Sequence, residues 1–423
     1  MSGGVNTWRG RRLCVSGEKA RKNMRILNIS QTYYPYLAEG GRPTKVSTIS
    51  RKLSERGNRV TVLTADLGPR GAVPFPASVE HTRWGRRTQH EGVETIYLRT
   101  RGRFRAVTWN PGVMEFLRHN LQSFDLVHIY GFYDLLGPVV AFFCRRQGIP
   151  YVIEPMGMYR PIARSLRLKR MFHRLVGRDL VRGARFLIAT SEQERKELID
   201  SGIKDSGVVT RRNGIDIPER LPERGSFRRQ WGIPAERKIV LFFGRLISKK
   251  SPDLLLNAFA QWYQRRSCED DVMLVFAGPE EGDGFLSRLK TMAAQLGLQE
   301  QILFVGPLYD DAKWSAYRDA DLFVLPSQNE NFGNTAAEAA VCGTPVIVTD
   351  RCGIAPLVGE AGLVIQHDLP ELQHALEKFL EDPMLRDRYR NGCKDLVRNL
   401  SWDDPLDELE RLYRRCVSGE NGR

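Results

Sequence analysis

From Arg25 onward, short β-branched runs alternate with amphipathic stretches: "RILNIS", "KVSTISRKLSERG" and "RVTVLTA", then "LVHIY", "PYVIEP" and "FLIATS", each followed by a helix-like segment. Strand-length runs separated by helical periodicity imply a parallel sheet with helices on both faces, because a parallel crossover needs a helix to return the chain. The alternation pauses at "RRNGIDIPERLPERGS" and restarts with "KIVLFFGR", "VMLVFAG", "ILFVG", "LFVLPS" and "PVIVTD". At 423 residues the chain is also too long for one ordinary core. The expected fold is α/β, with two doubly wound, Rossmann-like domains facing across a cleft. We place a flexible basic leader at 1–23, a first domain at 24–215, a linker at 216–235, a second domain at 236–400, and a helical segment at 401–423 that packs back toward the first domain. Ligands of such sheets lie beyond the C-terminal strand ends, so functional residues should follow strands directly.

Charge divides along the same line. Residues 1–212 hold 38 Lys and Arg against 17 Asp and Glu, and the remainder 26 against 33, within a net charge of +14. The stretch "RPIARSLRLKRMFHRLVGRDLVRGARF" carries nine of these cations, with Asp179 its one acid. Arg170, Arg174, Arg178 and Arg182 recur every four residues as one helix face, and Leu168, Met171, Phe172, Leu175 and Val176 form another. As an ordinary helix it lays the apolar side on the sheet and the arginines in water. As a docking surface, 160–185 meets anionic lipid, where each cation contributes about 1 kcal/mol. Nucleic acid is the weaker rival and is not expected as a partner, since no binding module accompanies the charge.

Seven scattered cysteines without a C-x-x-C pair suit a reducing compartment and show no zinc pattern. The leader lacks the apolar core of a signal peptide, and no run approaches the roughly 20 apolar residues of a spanning helix. The expectation is a cytoplasmic protein, with the inner membrane face as its candidate surface. Residues 66–92, rich in Pro, Gly and Arg, read as a long loop.

The stretch "QNENFGNTAAE", Gln328 to Glu338, follows the strand-like "LFVLPS" and places Glu330 and Glu338 eight positions apart. A helix starting near Gly333 presents its first amides, with the helix dipole behind them, to an anion such as phosphate. Carboxylates beside that site fit neutral hydroxyls: Glu338 a ribose diol, Glu330 a sugar ring. They also fit the plainer role of acids complementing a helix dipole. Arg245 follows "KIVLFFG" and Lys250 precedes a helix near Pro252, both at the edge where a leaving diphosphate would sit. A guanidinium fork and an ammonium together can neutralise it without metal. Asp319 and Asp321 mimic a metal-binding D-x-D, but Asp321 enters a strand at its N-terminal end, away from the cleft. No dinucleotide fingerprint or P-loop is present.

The combination "FFGRLISKKSPDLLLNAF", "FAGPEEGDG", "FVGPL", "DLFVLPSQNENFGNTAAEAAVCGTPVIVTD" and "GEAGLVI" resembles the C-terminal domain of glycosyltransferase family 4, retaining enzymes of GT-B fold. "YYPYLAEGGRPTKVSTISRKLSERGNRVTVLT", "DLVHIYG" and "RFLIATSEQERKEL" before "RRNGID" are similar to its N-terminal half. The resemblance implies a nucleotide-sugar donor (a UDP- or GDP-sugar), transfer with retained anomeric configuration, and a saccharide or lipid-linked acceptor, as in surface polysaccharide or glycolipid synthesis. It implies that Glu330 and Glu338 are the paired glutamates, Arg245 and Lys250 the diphosphate clamp, and Gly40 and Gly41 the loop approaching donor and acceptor. Donor contacts are then expected from Gly244, Asn331, Phe332, Gly333, Asn334 and Thr335 as well. The β-phosphate helps deprotonate the acceptor, so neither a protein nucleophile nor a cofactor or intrinsic metal is expected.

The chain departs from the family at two points. Many members carry histidine where Tyr130 stands, and often at Met156 before the glycine. Either His128, which shares a strand face with Tyr130, does the polar work near the acceptor, or Tyr130 hydrogen-bonds the donor sugar. A third possibility is a sugar-nucleotide-binding protein with weakened transfer, and a strand histidine held by a backbone partner is the plain structural reading.

Overall fold

A computed structural model describes residues 23–36, 41–66, 79–104, 107–161, 166–265, 272–280, 282 and 284–419. Residues 1–22 of the leader and Gly40 lie outside the described residues. The first sheet is built from β1 (Arg25–Ser30), β2 (Arg59–Ala65), β3 (Glu80–Thr82), β4 (Gly85–His90) and β5 (Val93–Leu98). Strands β6 (Gly102–Phe104) and β7 (Val107–Trp109) form a separate ribbon, and β8 (Leu126–Tyr130), β9 (Tyr151–Glu154), β10 (Leu187–Ala189) and β11 (Val208–Thr210) complete the sheet. Its order is β11-β10-β9-β8-β1-β2-β5-β4-β3. The second sheet comprises β12 (Lys238–Phe243), β13 (Val272–Ala277), β14 (Ile302–Gly306), β15 (Leu322–Leu325), β16 (Val346–Thr349) and β17 (Gly362–Ile365), in the order β14-β13-β12-β15-β16-β17. All its pairings are parallel. Runs such as "KIVLFF" and "VMLVFA" are apolar on both faces because helices cover both.

Each sheet carries a core on either face. On the first, Leu27, Ile29, Val127 and Ile129 point to one side, and Ile26, Leu126 and Tyr130 to the other. That second side is closed by the helix Gly41–Glu55 and by the final helix Asp403–Val417, which buries Leu406, Leu409, Leu412, Tyr413 and Cys416 there. Asn58 donates to Glu410 at 2.7 Å and Arg56 to Asp407 at 2.5 Å, fixing the final helix to the first domain. The two chain crossings between domains touch where the Ile215 amide donates to the Leu400 carbonyl at 2.8 Å.

Three expectations are corrected. The 66–92 loop contains β3 and β4, an antiparallel hairpin on the sheet edge; both its faces are largely polar or half-exposed, so no apolar alternation marks it. The 216–235 linker contains the helix Ser226–Trp231, whose Phe227 is buried in the second domain's core with Ile233. The basic stretch is not a helix with its apolar face on the sheet: Leu168, Met171 and Leu175 are 44%, 53% and 67% exposed. A π-helical turn at His173–Gly177 breaks the helical phase between Leu166–Phe172 and Arg178–Gly183. Phe172 and His173 occupy the inward positions, against Phe132, Tyr133 and Tyr159.

Candidate active site

The segment Gln328–Gly333 leaves β15 and is pinned from one side. The Glu330 amide donates to the Arg351 carbonyl, the Gly353 amide to the Glu330 carbonyl, and the Ile354 amide to the Phe332 carbonyl, at 2.6 to 2.9 Å. Phe332 is buried in the second domain's core and anchors the segment. Gly333 then adopts φ +107°, a left-handed conformation open to glycine, and starts the helix Asn334–Val341. A Cβ at Gly353 would lie 2.1 Å from the Asn331 carbonyl oxygen, so glycine is needed for that close approach.

Lys250, in the turn after β12, forms an ion pair with Glu330, both side chains being half-buried. Burial lowers the Lys250 ammonium below the ordinary lysine range, with Arg245 and Lys249 pushing the same way. Lys249 is lowered by burial and by Arg245 as well. Arg245 itself is exposed at the end of β12. Three cations thus stand close together past the end of β12, and Glu330 balances one of them.

Glu338, one turn into the helix, accepts from Lys313 Nζ at Oε1 and from the Tyr317 hydroxyl at Oε2, both at 2.9 Å. Lys313 and Tyr317 belong to the helix Asp310–Asp319 and were not singled out from the sequence. Tyr317 is fully buried, and burial with Glu338 beside it raises its hydroxyl well above the usual range. The sequence signal was their spacing of four, which puts both on one helix face.

The first domain approaches the same place. Gly41 begins its helix opposite Asn334, whose Nδ2 would lie 4.0 Å from a Gly41 Cβ. Asn213 donates to Asn334 Oδ1 at 3.4 Å. Gly41, Asn334 and the segment Glu330–Gly333 therefore meet at one helix N-terminus, with Thr335 and Glu338 in the helix itself, Lys250 paired with Glu330, and Gly244 and Arg245 in the turn that carries Lys250.

His128 and Tyr130 are corrected. Both rings are fully buried and stack at 3.8 Å on the face of β8 covered by the final helix. His128 Nδ1 shares a 2.6 Å hydrogen bond with the Tyr413 hydroxyl. Register explains it: positions 126, 128 and 130 all point to that covered face, so neither ring contacts the cleft in this arrangement. Glu154, also buried, is ion-paired with Lys45 and Arg211 and lies 3.8 Å from His128 Nε2. Burial works to raise Glu154, but Arg211 and Lys45 outweigh it and hold the carboxyl at about 2. Burial drives His128 down to about 3, so its ring is neutral. Met156 sits at φ +57° beside this network.

Asp319 accepts from the Gly225 and Arg228 amides, and Asp321 from the Ile239 amide and Arg228. This D-x-D serves backbone and a guanidinium, not the cleft. Among the described residues, no helix is long and apolar enough to cross a membrane.

Comparison with known proteins accords with this geometry. Residues 223–395 match the family Glycosyl transferases group 1, and residues 40–214 match the Glycosyl transferase 4-like domain. The chain is 31% identical over 399 residues to D-inositol 3-phosphate glycosyltransferase 2 of Catenulispora acidiphila, covering 89% of this chain and 90% of the relative. The corresponding enzyme of Thermomonospora curvata is 29% identical over 399 residues, covering 88% and 90%. In fold it is similar to sucrose-phosphate synthase of Thermosynechococcus elongatus, with TM-score 0.71, 21% identity and coverage of 94% of this chain and 100% of the other. It is also similar to Anabaena HepE in complex with UDP and glucose, with TM-score 0.69, 19% identity and coverage of 93% and 100%. The two facing Rossmann-like domains and the two matched halves together identify the chain as a member of the group 1 glycosyl transferases, a glycosyltransferase of GT-B fold.

Proposed function

We propose that the protein is a retaining glycosyltransferase moving a sugar from a UDP- or GDP-sugar to a saccharide or lipid-linked saccharide in surface polysaccharide or glycolipid synthesis. The observation that carries this reading is the ion pair of Lys250 with Glu330 just before the helix Asn334–Val341, with Arg245 and Lys249 beside that lysine and Glu338 held one turn into the helix by Lys313 and Tyr317. The helix amides and the cations take the diphosphate, Glu338 the ribose diol, and Glu330 the transferred sugar. As the anomeric bond breaks, charge develops on the diphosphate, and donors already aimed there stabilise it without reorganising. Lys250 then divides its contacts between Glu330 and the leaving phosphate. The β-phosphate accepts the acceptor proton, and the cations supply the charge a metal would otherwise provide.

We place the protein in the cytoplasm. Its exposed Leu168, Met171 and Leu175, beside Arg167, Arg170 and Arg174, form a surface suited to the anionic inner membrane face. The names of the relatives favour a second acceptor, a phosphate-bearing polyol. Arg42, whose side chain lies 3.8 Å from Asp134 and donates to Thr32 at 3.4 Å, is the first-domain cation that this reading brings toward such an acceptor.

The test is product analysis by proton NMR after incubation with UDP- and GDP-sugars and each acceptor class. A product keeping the donor's anomeric configuration supports the reading, and an inverted product refutes it. Transfer to inositol phosphate rather than to saccharide selects the second acceptor.

A further inference from the structure

The donor segment carries asparagines at 329, 331 and 334, and each has an amide hydrogen bond to the other domain. Asn329 donates to Glu197 at 2.9 Å, Asn331 to Thr190 Oγ1 at 2.5 Å, and Asn334 accepts from Asn213 at 3.4 Å. The middle contact has a built support. The Thr190 hydroxyl donates to Glu194 Oε2 at 2.8 Å, as does the Thr190 amide, and the Gly157 amide donates to Glu194 Oε1 at 2.5 Å. Thr190 and Glu194 are buried, and Ser191 caps the helix that holds Glu194. Burial raises the Glu194 carboxyl, while these donors act against it and favour the ionised form.

The proton count fixes the direction of the chain. Thr190 has one hydroxyl proton, committed to Glu194, so its oxygen can only accept from across the cleft. The Asn331 amide nitrogen is thereby oriented. Gly157, at φ +71°, meets the same side chain: a Cβ there would lie 3.3 Å from Asn331. Asn331 directly follows Glu330 and stands two residues before the helix start, so whatever holds it sets where both stand relative to the first domain.

We propose that Asn331, held by Thr190 and through it by Glu194, is a positioning residue that fixes the donor segment against the acceptor-side domain in the closed enzyme. Its bearing on transfer rests on the function proposed above; its bearing on closure does not. Loss of one such bond shifts the closed-to-open ratio about fivefold. With the sugar held farther from the acceptor, turnover falls, whereas the Thr190 hydroxyl is none of the groups assigned to the nucleotide, so its removal leaves nucleotide affinity near that of wild type.

The experiment compares full-length wild type with Asn331→Ala, Thr190→Val, Thr190→Ser and Glu194→Gln. Small-angle scattering reads closure without ligand, calorimetry reads UDP affinity, and UDP release from UDP-glucose reads rate. Expected are a larger radius of gyration and a kcat about five- to tenfold lower in Asn331→Ala and Thr190→Val, UDP affinity within about twofold of wild type in Thr190→Val, and recovery in Thr190→Ser. Unchanged scattering in both Thr190→Val and Asn331→Ala, or UDP affinity falling as much as the rate in Thr190→Val, overturns the proposal. If wild type binds no UDP, the donor reading fails for that base and scattering alone decides the closure role. Should Glu194→Gln fail to fold, the surface-accessible Asn331→Ala still decides.

Discussion

The Tyr317 hydroxyl donates to Glu338 Oε2 at 2.9 Å while Lys313, one turn earlier, holds Oε1 at the same distance. The carboxylate assigned to the ribose is thus oriented before any nucleotide arrives. Tyr317→Phe removes one donor and frees the carboxylate to turn. A hydrogen bond to a charged group contributes about 1.5–3 kcal/mol. Donor KM should rise about tenfold or more with kcat within about twofold, because ribose contacts bind ground and transition states alike. Steady-state kinetics over donor concentration checks this; a kcat loss with unchanged KM would contradict it.

Lys250→Met keeps most of the side-chain volume and removes the charge. If Lys250 meets the leaving diphosphate, kcat falls about 10²–10³-fold. Glu330 is left half-buried without its partner, costing about 1–3 kcal/mol of stability. Thermal melts and single-turnover rates separate the two effects, and an unchanged rate would remove Lys250 from the clamp.

Acid should loosen the final helix. His128 is held at about 3 and Glu154 at about 2, both below their unfolded values of about 6.5 and 4.5. In each case the unfolded chain binds more protons in the interval between, so stability falls as pH drops from about 6.5 toward 2. Denaturant melts at pH 7, 5 and 4, followed by Trp402 beside Arg211, should show midpoints falling in that order. His128→Gln should flatten the slope between pH 6.5 and 4.

The exposed Leu168, Met171 and Leu175 should partition into anionic vesicles together with their arginines. Changing all three to Gln should weaken pelleting with phosphatidylglycerol vesicles about tenfold or more. Equal pelleting of wild type with neutral and anionic vesicles would refute membrane docking.

The fold was legible because strand and helix periods alternate twice, and the helix Asn334–Val341 because Gly333 opens it after a buried strand. The Glu330, Lys250 and Arg245 cluster followed from one rule, that sites lie past strand ends. What stayed hidden depends on partners distant in sequence. His128 was open between polar work near the acceptor and a strand histidine held by a backbone partner, and its actual neighbour Tyr413 lies 285 positions away on the final helix. Nothing in the sequence marks Glu194, and only the tertiary approach of Thr190 and Gly157 shows what it holds. The exposed leucines escaped prediction because a single π-helical turn shifts which residues face inward.

The central claim, that the cleft takes a nucleotide-sugar with its ribose on Glu338, is tested most directly by thermal shift against UDP-, GDP-, ADP- and dTDP-sugars with Glu338→Ala beside wild type. A ligand at 100 times its Kd adds about 2.7 kcal/mol of stability, which moves the melting temperature measurably. The account predicts a clear rise with UDP- or GDP-sugars in wild type, lost in Glu338→Ala. A rise that survives in the mutant, or none with any nucleotide, would contradict it.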